Sequence, residues 1–127
     1  MLHLLLAAVL IPGQSIQGPG SSAPPYVVPA APDVLTMSIL TAGDSVNGYR
    51  MAGWPDGLGA YDNGDGTFTV LMNHELAEGS GAVREHGARG AFVSKWTIRK
   101  RDLAVLRGED LIRRVATWNR NTRRYSS

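Results

Sequence analysis

The sequence predicts an all-β protein whose strands form an antiparallel meander. Residues 58–73 have the pattern of a strand, a tight turn and a second strand, because Asn63-Gly64 and Asp65-Gly66 are residue types that accept positive φ angles. In residues 91–99, apolar and polar side chains alternate as in a strand with one buried face. Glycine-rich turns separate about four to six such segments, which leaves room for at most one short helix.

The N-terminal part of the chain is expected to be a secretory signal followed by a linker. Residues 2–11 are almost wholly apolar, and this run is too short to span a bilayer. The alternative is a buried N-terminal helix or strand. We place the signal at residues 1–23 and a proline-rich linker at residues 24–33. The expected location is therefore secreted or periplasmic, with no integral membrane segment after processing.

A β-rich domain is predicted for residues 34–118. Its expected strands are residues 34–41, 58–62, 67–73, 91–99 and 103–106. In the strand at 91–99, four alternate side chains share one face: Phe92, Ser94, Trp96 and Ile98. Three further segments are expected as loops or are ambiguous: a long glycine-rich loop at 78–90, a loop at 108–110, and a helix or strand at 111–118.

The charged residues are divided between the two halves of the chain. Residues 33–78 contain seven acidic residues and one arginine, a net charge of −6. Residues 79–127 contain twelve lysines and arginines and four acidic residues, a net charge of +8, and end in a basic tail at 119–127. This asymmetry indicates either a cation-seeking surface beside an anion-seeking one or mutual neutralisation within the fold. The chain has no cysteine, which excludes disulfides and thiolate ligands.

The end of the second hairpin strand carries the strongest candidate site. Asn73, His74 and Glu75 offer an amide, an imidazole and a carboxylate on consecutive residues, and strand geometry places His74 on the face opposite the other two. A carboxylate such as Glu75 suits calcium, magnesium or ferric iron. Asp56 lies on a Pro-Asp-Gly turn and is a second candidate ligand. The alternatives are a strand end satisfied by backbone hydrogen bonds and an Asx-turn.

The glycine-rich loop contains charged residues that suit an anion. Arg84 and Arg89 flank the Glu85-His86 pair, and guanidinium groups beside a metal would suit phosphate. A solvated loop pair is the alternative for Glu85 and His86. The basic C-terminal run has few interleaved aromatic side chains, so we expect no nucleic-acid partner.

Several of these segments together resemble the N-terminal part of secreted PhoX-like proteins, a family that includes calcium- and iron-dependent alkaline phosphatases built as β-propellers. The resemblance is carried by Pro-Asp-Gly-Leu-Gly-Ala-Tyr at 55–61, the turn at 62–66, Leu-Met-Asn-His-Glu at 71–75 and Gly-Ala-Phe-Val-Ser at 90–94. It implies hydrolysis of phosphate esters, calcium and iron cofactors, and Glu75 as a metal ligand, with Asp56 and His74 as further candidates. Arg84 and Arg89 are the candidate phosphate contacts.

The chain departs from those phosphatases in two respects. It lacks the cysteine that serves as an iron ligand, and its length suffices for about one blade plus lead-in strands of an incomplete β-propeller. We therefore expect a portion that is inactive by itself, in which Trp118 and Tyr125 are core residues. The alternatives are a secreted, non-catalytic binding module that pairs its exposed strand edges with another chain, and a truncated gene fragment.

Overall fold

The computed structural model describes residues 13–126, which contain ten β-strands and no helix. The strands are β1 (Gln14–Gln17), β2 (Leu35–Ser38), β3 (Ser45–Val46), β4 (Tyr49–Arg50), β5 (Pro55–Asp62), β6 (Thr67–His74), β7 (Phe92–Arg99), β8 (Val105–Asp110), β9 (Thr117–Asn119) and β10 (Arg124–Ser126). The all-β prediction is confirmed. The antiparallel meander consists of β5, β6, β7 and β8, in that order across one sheet.

The hairpin between β5 and β6 forms where the turn residues predict it. Gly64 and Gly66 have φ angles of 77° and 84°, which glycine adopts without the steric cost of a Cβ atom. The Asp62 carboxylate accepts a hydrogen bond from the backbone N–H of Gly64 at 2.8 Å. At the start of β5 the pairing register shifts between Pro55 and Leu58. Two β5 residues, Asp56 and Gly57, therefore form a bulge opposite one residue of β6.

One face of the meander forms the core. On β7 the four predicted side chains are all buried, and on β6 the same face carries Met72 and the buried His74. Residues 39–51 cover this face, and Met51 reaches the hydrophobic cluster around Trp96. The alternation that predicted the buried face of β7 is therefore confirmed.

Residues 14–17 and Ser21, which belong to the predicted signal, contact the segment that precedes the meander. β1 pairs in parallel with β2, from Gln14 opposite Leu35 to Gln17 opposite Ser38. Ser21 is buried, and its hydroxyl lies 2.8 Å from the hydroxyl oxygen of Thr41. The predicted signal at 1–23 thus overlaps residues that pair with the domain. Its apolar run at 2–11 lies outside the described residues.

The C-terminal third differs from the sequence prediction at two places. β8 runs through Asp110, although residues 108–110 were expected to be a loop, because Gly108 and Asp110 pair with Trp96 and Ser94 of β7. The ambiguous segment ends in β9, and part of the basic tail forms β10, which pairs with β9. Residues 13–126 close neither a barrel nor a propeller. Within the same range, no helix has the length and apolar character needed to cross a membrane.

Candidate functional site

His74 is the polar residue at the end of β6, and it lies in the core with 1% of its surface exposed. Its Nδ1 atom lies 3.1 Å from the carbonyl oxygen of Ala52, and its Nε2 atom lies 2.7 Å from Oγ of Ser94. A carbonyl oxygen can only accept a hydrogen bond, so Nδ1 carries the proton of the neutral ring. Nε2 therefore accepts a hydrogen bond from the Ser94 hydroxyl.

Ser94 links His74 to the largest side chain of the core. Its Oγ atom accepts a hydrogen bond from Nε1 of Trp96 at 2.7 Å while its proton is donated to His74. Burial lowers the pKa of His74, an effect that the carbonyl of Ala52 opposes. The ring is therefore held neutral, and both of its nitrogens are engaged by the protein. A metal ion at His74 would have to displace one of these two hydrogen bonds.

Glu75 and Asp56 are exposed near the same end of the sheet. The backbone N–H of Glu75 donates to the carbonyl of Trp54 at 3.0 Å, and Asp56 lies in the bulge of β5. Across residues 13–126, no three His, Asp or Glu residues form a group that could hold a metal ion. Calcium takes about six to eight oxygen ligands. Asp56, His74 and Glu75 therefore do not form a metal-binding group among the described residues, and calcium or iron binding stays a prediction.

Arg84 is the better placed of the two candidate phosphate contacts. Its guanidinium carbon lies 3.4 Å from the ring centroid of Phe92, and its NH1 atom lies 3.5 Å from the Asp110 carboxylate. Its side chain is 11% exposed and lines a cavity of about 400 Å³ that Tyr49 and Arg50 also line. Its Nε atom is buried and has no hydrogen-bond partner among the described residues. A phosphate contact at Arg84 stays a prediction.

Arg89 and the Glu85-His86 pair have different positions on the long loop. Arg89 donates a hydrogen bond from NH1 to the carbonyl of Gly81, so its guanidinium connects two parts of the same loop. Glu85 forms an ion pair with Arg113 at 3.2 Å. A phosphate contact at Arg89 stays a prediction, and among the described residues His86 is not part of a metal-binding group.

Asp110 is a polar centre that the sequence analysis missed. One carboxylate oxygen accepts a hydrogen bond from the hydroxyl of Tyr49 at 2.5 Å, and the other accepts from the backbone N–H of Glu85 at 2.9 Å. Burial raises the pKa of the Tyr49 hydroxyl, and the nearby Asp110 charge adds to the effect, so the hydroxyl remains a donor. Asp110 thereby joins β4, the long loop and β8. Its signal in the sequence was faint, because its partners are distant along the chain.

The outer edge of β5 is the most open part of the sheet. All eight residues of β5 are exposed, and among the described strands β5 pairs with β6 alone. Leu58 is 63% exposed and stands at an apolar groove of about 280 Å³. The groove runs between residues 37–40 and the sheet, and its other walls include Met72 and Val70. An edge with free backbone groups beside an apolar groove is the geometry that accepts an added strand.

The resemblance to PhoX-like proteins rests on the sequence segments alone. Comparison of the chain with protein-family models, with curated proteins and with solved structures finds no match.

Proposed function

We propose that this chain is a non-catalytic binding module that accepts a strand from another polypeptide at the open edge of β5. The observation that carries the proposal is the exposure of the whole of β5, whose outer edge no described strand covers. Such an edge presents unpaired backbone N–H and C=O groups, and backbone hydrogen bonds provide the affinity in strand addition.

The apolar groove beside the β5 edge indicates which side chains a partner strand needs. Leu58 and Ala60 of β5 pair with Met72 and Val70 of β6, so they lie on the core face of the sheet. An added strand would therefore direct every second side chain toward the apolar groove. Asp56 has no ion-pair partner among the described residues, and a basic side chain on the added strand would supply one. The preferred partner is an extended segment in which aliphatic and basic residues alternate.

The proposal is tested with a labelled peptide of the length of β5 that alternates valine and lysine. Fluorescence anisotropy measures its affinity, and hydrogen exchange locates the amides that it protects. We expect protection on β5 and an affinity about tenfold weaker for Leu58→Lys, because this substitution places a charge where the apolar side chains pack. Leu106→Lys introduces the same charge at the other edge strand, β8, and is the matched control.

Two outcomes would remove the proposal. One is protection of amides elsewhere than on β5. The other is equal weakening by the two lysine substitutions. A peptide of the same composition with its valines and lysines in separate blocks tests the alternation. The affinity of the unaltered chain for this peptide should be no higher than the affinity of Leu58→Lys for the alternating peptide.

The second candidate function is a portion of a metal-dependent phosphatase that hydrolyses phosphomonoesters. The four-stranded antiparallel meander has the strand number of one propeller blade, which favours this ancestry. Glu75 and Asp56 are the exposed carboxylates that would contribute to a larger calcium or iron site, and Arg84 would contact phosphate. A phosphomonoester assay with added calcium and iron tests it. Turnover that is lost in Glu75→Ala would favour this function, and turnover unchanged in that variant would remove the proposed ligand.

A further inference from the structure

The C-terminal hairpin consists of β9 and β10, which form a two-stranded sheet of their own. Its two strands pair with each other and contact no other described strand. Trp118 and Tyr125 lie opposite one another on one face, with ring centroids 5.0 Å apart and planes inclined by 64°. The two residues are 51% and 71% exposed. An isolated two-stranded hairpin is at best marginally stable in water, so this one gains stability from any surface that covers its aromatic pair.

The hairpin carries positive charge that the fold does not neutralise. Arg120, Arg123 and Arg124 form no ion pair with any described residue. Arg120 and Arg123 belong to the turn, and Arg124 begins β10 on the face opposite the aromatic pair. The hairpin therefore presents aromatic surface on one side and guanidinium groups at its tip and on its other side.

The β5 edge has the complementary properties. Asp56 and Glu75 are exposed acidic residues without an ion-pair partner among residues 13–126. The apolar groove at Leu58 begins two residues after Asp56 on β5. Glu75 follows β6, and its backbone N–H donates to the carbonyl of Trp54 just before β5. An added β-strand at this edge would thus find free backbone groups, apolar surface and negative charge together. The hairpin offers the matching set.

We propose that the C-terminal hairpin of one chain docks on the β5 edge of a second copy of this chain. Trp118 and Tyr125 cover the groove at Leu58, and the arginines of the hairpin lie beside Asp56 and Glu75. The inference rests on the proposed function, because it names the occupant of the edge described there. A second copy is the occupant because the hairpin of this chain carries the exposed aromatic pair and the unneutralised arginines that complement the groove and the acidic residues at the edge.

The proposal is tested by pairing two charge-reversal variants of the full chain. Asp56→Arg reverses the charge at the edge and leaves the hairpin unchanged. The double substitution Arg123→Glu and Arg124→Glu reverses the hairpin and leaves the edge unchanged. Light scattering after size exclusion measures the mass at several concentrations. We expect the unaltered chain to associate, each variant alone to associate at least tenfold more weakly, and an equal mixture of the two to recover association.

A second pair of substitutions tests the aromatic contact. Trp118→Ser with Tyr125→Ser should abolish association, and circular dichroism should show the sheet unchanged because the hairpin contacts no other strand. Val83→Ser removes another exposed apolar side chain, on the long loop, and should leave association intact.

The outcomes separate this inference from the proposed function. A monomeric mass at all concentrations, or a mixture that does not recover association, overturns the hairpin as the occupant. If the valine-lysine peptide still protects β5 in that case, the proposed function stands without the inference. If the peptide also fails to bind, both fall. Association that persists in the serine variant likewise overturns the inference.

Discussion

The imidazole ring of His74 lies parallel to the phenyl ring of Phe92, with centroids 4.3 Å apart and planes only 4° apart. The guanidinium carbon of Arg84 lies 3.4 Å from the centroid of the same phenyl ring. Two groups this close to one centroid cannot share one face of the ring, so Phe92 separates the imidazole from the guanidinium. This three-layer stack joins the buried network of Ser94 to the ion pair of Asp110.

Removal of the Ser94 hydroxyl should strongly destabilise the fold. Ser94→Ala leaves Nε2 of His74 and Nε1 of Trp96 without their hydrogen-bond partner in a site that is 0% exposed. An unsatisfied buried polar group costs about 1–3 kcal/mol, so we expect a loss of about 2–4 kcal/mol in the free energy of unfolding. Urea denaturation measures it. Ser80→Ala on the exposed loop is the matched control and should change stability by less than about 0.5 kcal/mol.

The free energy of unfolding should decrease as the pH falls below 6.5, the ordinary pKa of histidine. Burial lowers the pKa of His74 from its ordinary value of 6.5, and the positive charge of Arg84 adds to this effect. The unfolded chain therefore binds a proton at a pH where the folded chain does not. The contribution is complete above about pH 6.5 and is lost as the pH falls toward the lowered pKa of the folded state.

Urea denaturation at intervals between about pH 8 and about pH 5 measures this dependence. His74→Gln should remove the slope in that range, whereas His86→Gln should retain it. A slope that persists in His74→Gln would assign the effect to another group. Carboxylates with lowered pKa values, such as Asp44, act at lower pH and do not overlap this range.

The sequence predicted the buried face of a strand where apolar and polar side chains alternate within that strand. Alternation on β7 identified all four buried side chains, and the same period on β6 placed His74 opposite Asn73. The strand continued one residue farther than expected, so His74 became the last core position of β6. The period thus favoured the core over a metal ligand, but the neighbouring polar residues suggested a site.

Contacts between distant segments were not predictable in the same way. The Asp110 carboxylate accepts hydrogen bonds from the Tyr49 hydroxyl and from the backbone N–H of Glu85. No pattern in the sequence near Asp110 indicates either partner. Trp118 and Tyr125 were expected to be core residues, but they are 51% and 71% exposed, because no described strand covers the hairpin that carries them. Residues 14–17 form a strand by parallel pairing with β2, and no local pattern in these four residues indicates that distant partner.

A side chain at Gly108 should disrupt the packing of β8 on the core. An added Cβ atom would lie 2.4 Å from Cζ3 of Trp96 and 2.5 Å from Cδ1 of Tyr49. Both rings are held in the core, so Gly108→Ala should cost about 1–3 kcal/mol by overpacking. Gly59→Ala on β5 is the matched control, because no atom lies within 4 Å of its added Cβ. Thermal denaturation should show a clear decrease for Gly108→Ala and almost no decrease for Gly59→Ala, and similar midpoints for both would contradict the close approach.

Loss of the Asp110 carboxylate should destabilise the fold more than loss of an exposed carboxylate. Asp110→Ala leaves the largely buried guanidinium of Arg84, the hydroxyl of Tyr49 and the N–H of Glu85 without their acceptor. Breaking a buried ion pair in this way costs about 3–5 kcal/mol. Asp110→Asn retains the size and one acceptor oxygen, so its loss should be smaller. Urea denaturation at neutral pH measures the free energy of unfolding of the unaltered chain, of Asp110→Ala and of Asp110→Asn.

The ion pair of Asp102 with Arg99 is the matched control for Asp110. NH2 of Arg99 lies 2.8 Å from Oδ2 of Asp102, closer than the 3.5 Å between NH1 of Arg84 and Oδ1 of Asp110. Arg99 lowers the pKa of Asp102 to about 2. Its side chains are nevertheless 35% and 39% exposed, and solvent weakens such pairs. Asp102→Ala should therefore change stability little despite the shorter distance. An effect as large as that of Asp110→Ala would mean that distance, and not burial, determines which ion pair stabilises this fold.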